Sequence, residues 1–240
     1  MRKIISQRPN PNKLLIFARH FPITNRCRCL ELLLFTITNA CYNIIRKGAA
    51  RYFMNKLFGA AQEVCDFLSS KSWTYCIIGG LAVIRWGEIR FTQDADIAVL
   101  AGFGEEAQFA QSLLERFESR IANAFDFAVA NRVVLIRSSN GTSIDITFAT
   151  LPFENEMMES SSLFAYADGL SLPTCSADDL FIMKAFAARP KDWIDAESIA
   201  LRQKGRLNMK RIIDRITELA LLKEAPEIIT KAKQILERKS

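Results

Sequence analysis

A chain of 240 residues, half of them hydrophobic and 24% charged, can bury a core and has the make-up of a globular protein. It holds no uninterrupted run of about 18 apolar residues, so a membrane span is not expected, and its scattered single cysteines suit a cytoplasmic protein. The formal charge of +6 would suit a nucleic-acid binder, but it is unevenly placed.

Residues 1–53 carry ten Lys or Arg against Glu31 alone, a local charge of +9. Residues 54–240 carry 22 Lys or Arg against 25 acids, or −3. Within that body the stretch from Arg202 to Ser240 is +6, which leaves −9 on residues 54–201. An acidic portion suits cation binding, and a basic tail suits phosphate. The leader is basic and acid-poor, and it is broken by Pro9, Pro11 and Pro22. It is expected to stand apart from the fold, with Met54 favoured as the start of the folded chain over a targeting role for 1–53. Cys27, Cys29, Cys41, Cys65, Cys76 and Cys175 form no C-x-x-C pair, and His20 is the single histidine. That spacing argues against a zinc site and for reduced thiols.

From Met54 to Ser70, Leu57, Ala60, Ala61, Val64, Phe67 and Leu68 recur at helical spacing. Trp73–Ile78 is an apolar strand closed by Gly79-Gly80, and a short helix, Leu81–Trp86, ends at Gly87. Ala95–Leu100 is a second strand, followed by an amphipathic helix over Glu105–Arg120. Arg132–Arg137 and Ser143–Phe148 flank an Asn140-Gly141 turn, among the stronger local signals for a hairpin. Ser176 with Asp179 caps a helix over Ala177–Ala188, and two or three more helices are expected after Pro190. The expected fold class is α+β: a core with a mixed sheet over 54–175, then a helical region over 176–240.

Asp94 and Asp96 flank Ala95 where a strand begins, and alternation points both carboxylates to one face. Two like charges so close repel, which a cation would relieve. Asp145 lies between Ile144 and Ile146 in another strand. If the strands pair, three carboxylates meet, which suits a hard divalent ion with oxygen ligands such as Mg²⁺. Two ions about 3.5–4 Å apart would clamp a phosphoryl displacement. Gly79-Gly80, between a strand and a helix, offers bare N–H groups to phosphate. Arg90 and Thr92 precede the acids where they would touch a triphosphate, and Lys184 is a candidate to neutralise charge on the phosphates.

The segments Ile78-Gly79-Gly80-Leu81-Ala82, Arg90-Phe91-Thr92-Gln93-Asp94-Ala95-Asp96-Ile97 and Ile144-Asp145-Ile146 resemble the motifs of the polymerase-beta nucleotidyltransferase superfamily. The later segment Lys184 … Arg189-Pro190-Lys191-Asp192-Trp193-Ile194-Asp195 resembles the AbiEii/AbiGii toxin-type branch. The likeness extends over about residues 54–240. It implies a polymerase-beta-like core followed by a C-terminal helical region. It also implies transfer of a nucleoside monophosphate from an NTP, with two Mg²⁺ ions, to an acceptor hydroxyl. On that resemblance Asp94 and Asp96 ligate both ions, and Asp145 ligates one and helps deprotonate the acceptor. Gly79 and Gly80 hold the triphosphate, Lys184 contacts phosphate, and Asp192 and Asp195 orient it or the acceptor. The acceptor is expected to be RNA such as tRNA, or a protein, and a cognate antitoxin is an expected partner. Two other readings stay open: a small-molecule, antibiotic-type nucleotidyltransferase, and a non-catalytic antitoxin-like module of the same fold.

Overall fold

The computed structural model describes residues 53–239, and the leader of 1–52 lies outside the described residues. Residues 53–240 form one compact unit. Helix α1 runs through residues 53–70 and buries Leu57, Ala60, Ala61, Val64 and Leu68, the stripe its spacing predicts. Strand β1 (Tyr75–Ile78) leads directly into α2 (Gly79–Trp86), which stops at Gly87. Strand β2 (Asp94–Leu100) and α3 (Glu106–Arg116) follow. Then come β3 (Glu118–Ser119), α4 (Ala124–Asn131), β4 (Val133–Arg137) and β5 (Ser143–Ala149). Helix α5 (Pro152–Glu159) precedes a hairpin of β6 (Ser162–Ala167) and β7 (Leu170–Thr174). Helices α6 (Ala177–Ala187), α7 (Pro190–Arg202), α8 (Met209–Lys223) and α9 (Glu227–Lys239) close the described chain.

The strands form one seven-stranded mixed sheet in the order β3-β4-β5-β2-β1-β7-β6. Its centre is antiparallel between β1 and β2 and parallel between β2 and β5. The α+β arrangement expected from the sequence is therefore present. The Asn140-Gly141 turn joins β4 and β5 antiparallel as predicted, with Gly141 at φ +80°.

Alternation along the central strands divides the molecule into two apolar layers. Ala95, Ile97 and Val99 of β2, with Ile144, Ile146 and Phe148 of β5, pack toward α1, α3 and α4. Cys76, Ile78, Ala98 and Ala149 face the other way, onto α5 to α9. The helical region of 176–240 thus forms the second layer of the same sheet. By this alternation Asp94, Asp96 and Asp145 belong to the face that the later helices cover.

Some boundaries differ from the sequence expectation. The helix predicted over Glu105–Arg120 ends at Arg116, because Phe117 turns extended (φ −124°, ψ 147°) to bury its ring. Glu118–Ser119 then pairs with β4 as an edge strand. Between β5 and the helical region, where the sequence pattern predicts no element, the hairpin of β6 and β7 extends the sheet, and β7 runs parallel beside β1. Ser176 caps α6 as predicted, accepting from Asp179 N at 3.2 Å, an arrangement worth about 1 kcal/mol. Cys65, Cys76 and Cys175 are buried free thiols, and burial pushes that of Cys76 up to about 12, so they are packing residues. Among the described residues no helix is long and apolar enough to cross a membrane.

Candidate active site

The register of the sheet brings the three predicted carboxylates together. Ile78, Asp96 and Asp145 lie side by side on β1, β2 and β5, with Asp96 paired to both neighbours. Asp94 sits two residues back along β2, opposite Ser143. All four belong to the same end of the sheet, where the apolar layer gives way to a cleft of about 230 Å³. Gly79, Gly80, Thr92, Asp94, Asp96 and Asp145 line it from the sheet side. Lys184, Arg189, Lys191 and Asp192 line it from α6 and the start of α7.

The glycines are there because nothing larger fits. Gly79 has φ +56°, and a Cβ on it would stand 1.9 Å from Asp96 Oδ2. A Cβ on Gly80 would stand 2.5 Å from Thr92 Oγ1. This close approach lets Gly80 N donate to Asp96 Oδ2 at 3.2 Å and leaves α2 with its N-terminus aimed at the acids. Gly79→Ala is expected to cost about 2 kcal/mol from the left-handed backbone alone and to push the Asp96 carboxylate aside. Thermal unfolding would register the first effect, and a loss of cation binding the second.

The electrostatics are those of crowded acids. Burial raises the Asp96 carboxyl above its usual value, and Asp94 adds to this; Gly80 N–H, Lys184 and Lys191 oppose it. Burial also raises Asp145, with Arg120 opposing and Asp96 and Asp94 adding. Asp94 instead accepts from Thr92 Oγ1 at 3.0 Å, so the buried Thr92 orients a carboxylate.

The expected convergence on metal is met in alignment but not in final assembly. Among the described residues no three His, Cys, Asp or Glu side chains are gathered into a ready-made cage. Each acid has a local partner: Thr92 for Asp94, Gly80 N–H for Asp96, and the Arg120 guanidinium for Asp145. The donor chemistry nevertheless fits a hard cation, since three carboxylates share one face and the mutual repulsion of Asp94, Asp96 and Asp145 is what a cation would relieve.

Lys184, Arg90, Asp192 and Asp195 form a second charged cluster, three of whose members line the same cleft as the acids. Lys184 Nζ bridges Asp192 Oδ1 at 3.0 Å and Asp195 Oδ2 at 2.8 Å. Arg90 grips Asp195 with two hydrogen bonds of 2.7 and 2.8 Å, and Arg189 closes on Asp192 from outside. Burial raises the Asp192 and Asp195 carboxyls, yet their cationic partners together carry both below the ordinary value. Arg90 and Lys184 are thus committed to buried carboxylates, while Arg189, itself paired with Asp192, and Lys191 stand exposed on the cleft wall.

Arg120 is the site residue that the sequence does not announce. It lies just past β3, donates its backbone N–H to Leu135 O at 3.0 Å, and reaches across β4 to Asp145. A lone arginine after an amphipathic segment carries no motif, and only the turn at Phe117 directs it here.

No protein-family model matches the sequence, and no curated protein does. Solved structures with a similar course of chain include an antigenic nucleotidyltransferase-like protein from Paracoccidioides brasiliensis. It is 14% identical, with a TM-score of 0.45, covering 75% of this chain and 93% of the other. The antibiotic-resistance factor ANT(2'')-Ia is 17% identical with a TM-score of 0.47, covering 71% and 94%. A lincosamide antibiotic adenylyltransferase, bound to lincomycin, is 14% identical with a TM-score of 0.39, covering 59% and 94%.

Proposed function

We propose that this protein is a nucleotidyltransferase that moves a nucleoside monophosphate from an NTP to an acceptor hydroxyl, with the bond to the α-phosphate broken and pyrophosphate released. The observation that carries the proposal is the row formed by Asp96 and Asp145 on paired strands, with Asp94 beside them, under a glycine-lined helix N-terminus. Asp94, Asp96 and Asp145 would hold Mg²⁺, and when bound the ions neutralise the charge of the reacting phosphates. The first turn of α2 at Gly79-Gly80 receives the triphosphate, with Arg189 and Lys191 facing it across the cleft. Asp145, with its carboxyl raised by burial, accepts the proton of the acceptor hydroxyl. Lys184, Arg90, Asp192 and Asp195 hold α6 and α7 against the loop before β2 and so fix the width of the cleft.

We attach to this chemistry a phosphate-bearing acceptor, RNA such as tRNA, and the role of toxin in a toxin–antitoxin pair. The support is the basic stretch from Arg202 to Ser240 together with the Lys184–Asp195 segment that resembles the toxin-type branch. Part of that basic charge is spent inside the protein, because Arg211 pairs with Asp179 and Arg215 with Glu156. Lys204, Arg206, Lys233 and Arg238 are exposed and available to a polyanion.

The test is incubation of the full chain with Mg²⁺, each labelled NTP in turn, and total cellular RNA, protein or small hydroxylated acceptors. Label is expected in RNA and to disappear with EDTA. Label in a small acceptor alone would replace the RNA assignment with an antibiotic-type one. No transfer to any acceptor, with tight partner binding, would favour the non-catalytic module.

A further inference from the structure

Arg120 stands where an added positive charge matters most and has no part in the transfer outlined above. Its guanidinium forms an ion pair with Asp145, the acid on β5 that adjoins Asp96. The pair is partly enclosed, with side-chain exposures of 21% and 30%. Among the described residues Arg120 Nε is buried with no hydrogen-bond partner, so the guanidinium is only partly satisfied by the contact it makes. A structural ion pair of this enclosure normally satisfies its donors, and an arginine left with an orphaned N–H is easier to displace. The guanidinium thus occupies a carboxylate oxygen of Asp145 on the strand that pairs in register with Asp96.

We propose that Arg120 is a positioning residue that holds the Asp145 carboxylate until a divalent cation displaces it, and so sets the cation concentration at which the site loads. The inference rests on the proposed function, since it takes these acids as cation ligands. One positive charge stands in for another: the guanidinium keeps the acids from repelling each other while the site is free of cation, and it yields Asp145 when the ion arrives. The partial exposure of Arg120 gives the released guanidinium access to water.

The experiment is a Mn²⁺ titration of the full chain, followed by the electron paramagnetic resonance signal of free Mn²⁺, without nucleotide. R120M is expected to bind Mn²⁺ about tenfold more tightly than the unaltered protein, since a competing charge has been removed. R120K, which keeps the charge, is expected to stay near the unaltered protein. Circular dichroism establishes that each variant is folded, and R120Q replaces R120M if the latter does not fold. Unaltered protein that binds Mn²⁺ and a charge-free variant that binds it no more tightly would overturn this role for Arg120 alone. Absence of Mn²⁺ binding by every variant would overturn both this role and the proposed function. Binding by the charge-free variant alone would support the role in its strongest form.

Discussion

Asp96→Asn is expected to lower nucleotide transfer by about a thousandfold, the scale on which removal of one central electrostatic group acts on a charged transition state. Asp96 is the acid with most at stake, because it is register partner to both β1 and Asp145 and touches the first turn of α2. The same substitution is expected to raise the melting temperature at pH 7 in EDTA. A carboxyl whose folded value is raised contributes stability when protonated and loses that contribution as pH rises through the raised value. At neutral pH the ionised group is therefore a burden that the neutral amide lifts. Below the ordinary aspartate range both side chains are neutral, and the two melting curves should converge. Transfer at the level of the unaltered protein would remove Asp96 from the site, whatever the melting temperature.

Lys184→Ala should cost about 3–5 kcal/mol of stability, because it strips the shared cation from two buried carboxylates. The ammonium is 8% exposed, and its partners Asp192 and Asp195 are 0% and 2% exposed. Arg90 and Arg189 remain at the flanks, but neither reaches the position between the two acids that Nζ fills. For a unit of this size the loss corresponds to a fall in melting temperature of about 10 °C. In urea the midpoint should fall with the slope unchanged. A lysine that served only to touch phosphate would behave differently, losing activity while unfolding at the same denaturant concentration. The stability of this group also has a pH signature. Asp192 and Asp195 titrate below their ordinary value, so their contribution is present above it and is lost only as pH falls through the depressed folded values.

Much of this was legible in the sequence where a local rule and the tertiary structure agree. The stripe from Leu57 to Leu68 is helical by spacing and buried in fact, and Asn140-Gly141 turns the hairpin it promises. Asp94 and Asp96 share a face because strands alternate, and Asp145 joins them because β2 and β5 pair in register. Other features had signals too weak to act on. Asp168-Gly169 also turns a hairpin, with Gly169 at φ +75°, but the unbroken apolar run Leu163–Ala167 before it offers no alternation that a periodicity argument could use. Helix α5 has Pro152 at its start and Glu154 accepting from Leu151 N at 2.9 Å, yet it spans only eight residues. The contacts of Lys184 were beyond reach for a different reason. Its neighbours eight and eleven residues on lie across a helix break, and only the packing of α6 on α7 shows that they enclose it.

The chain of charge that runs from Arg90 through the buried Asp195, Lys184 and Asp192 to the exposed Arg189 has a bearing on how such a protein can change over generations. It ties a loop of the sheet layer to two helices of the opposite layer by groups that tolerate no partial loss. An exchange of the C-terminal helices for those of a relative would strand Arg90 against an incoming surface, unless the newcomer supplied both acids and the lysine together. Diversification toward new acceptors should therefore proceed by change at the outer rim, at exposed positions such as Ile89, Phe91 and Ile194, while this inner lock is inherited as one piece.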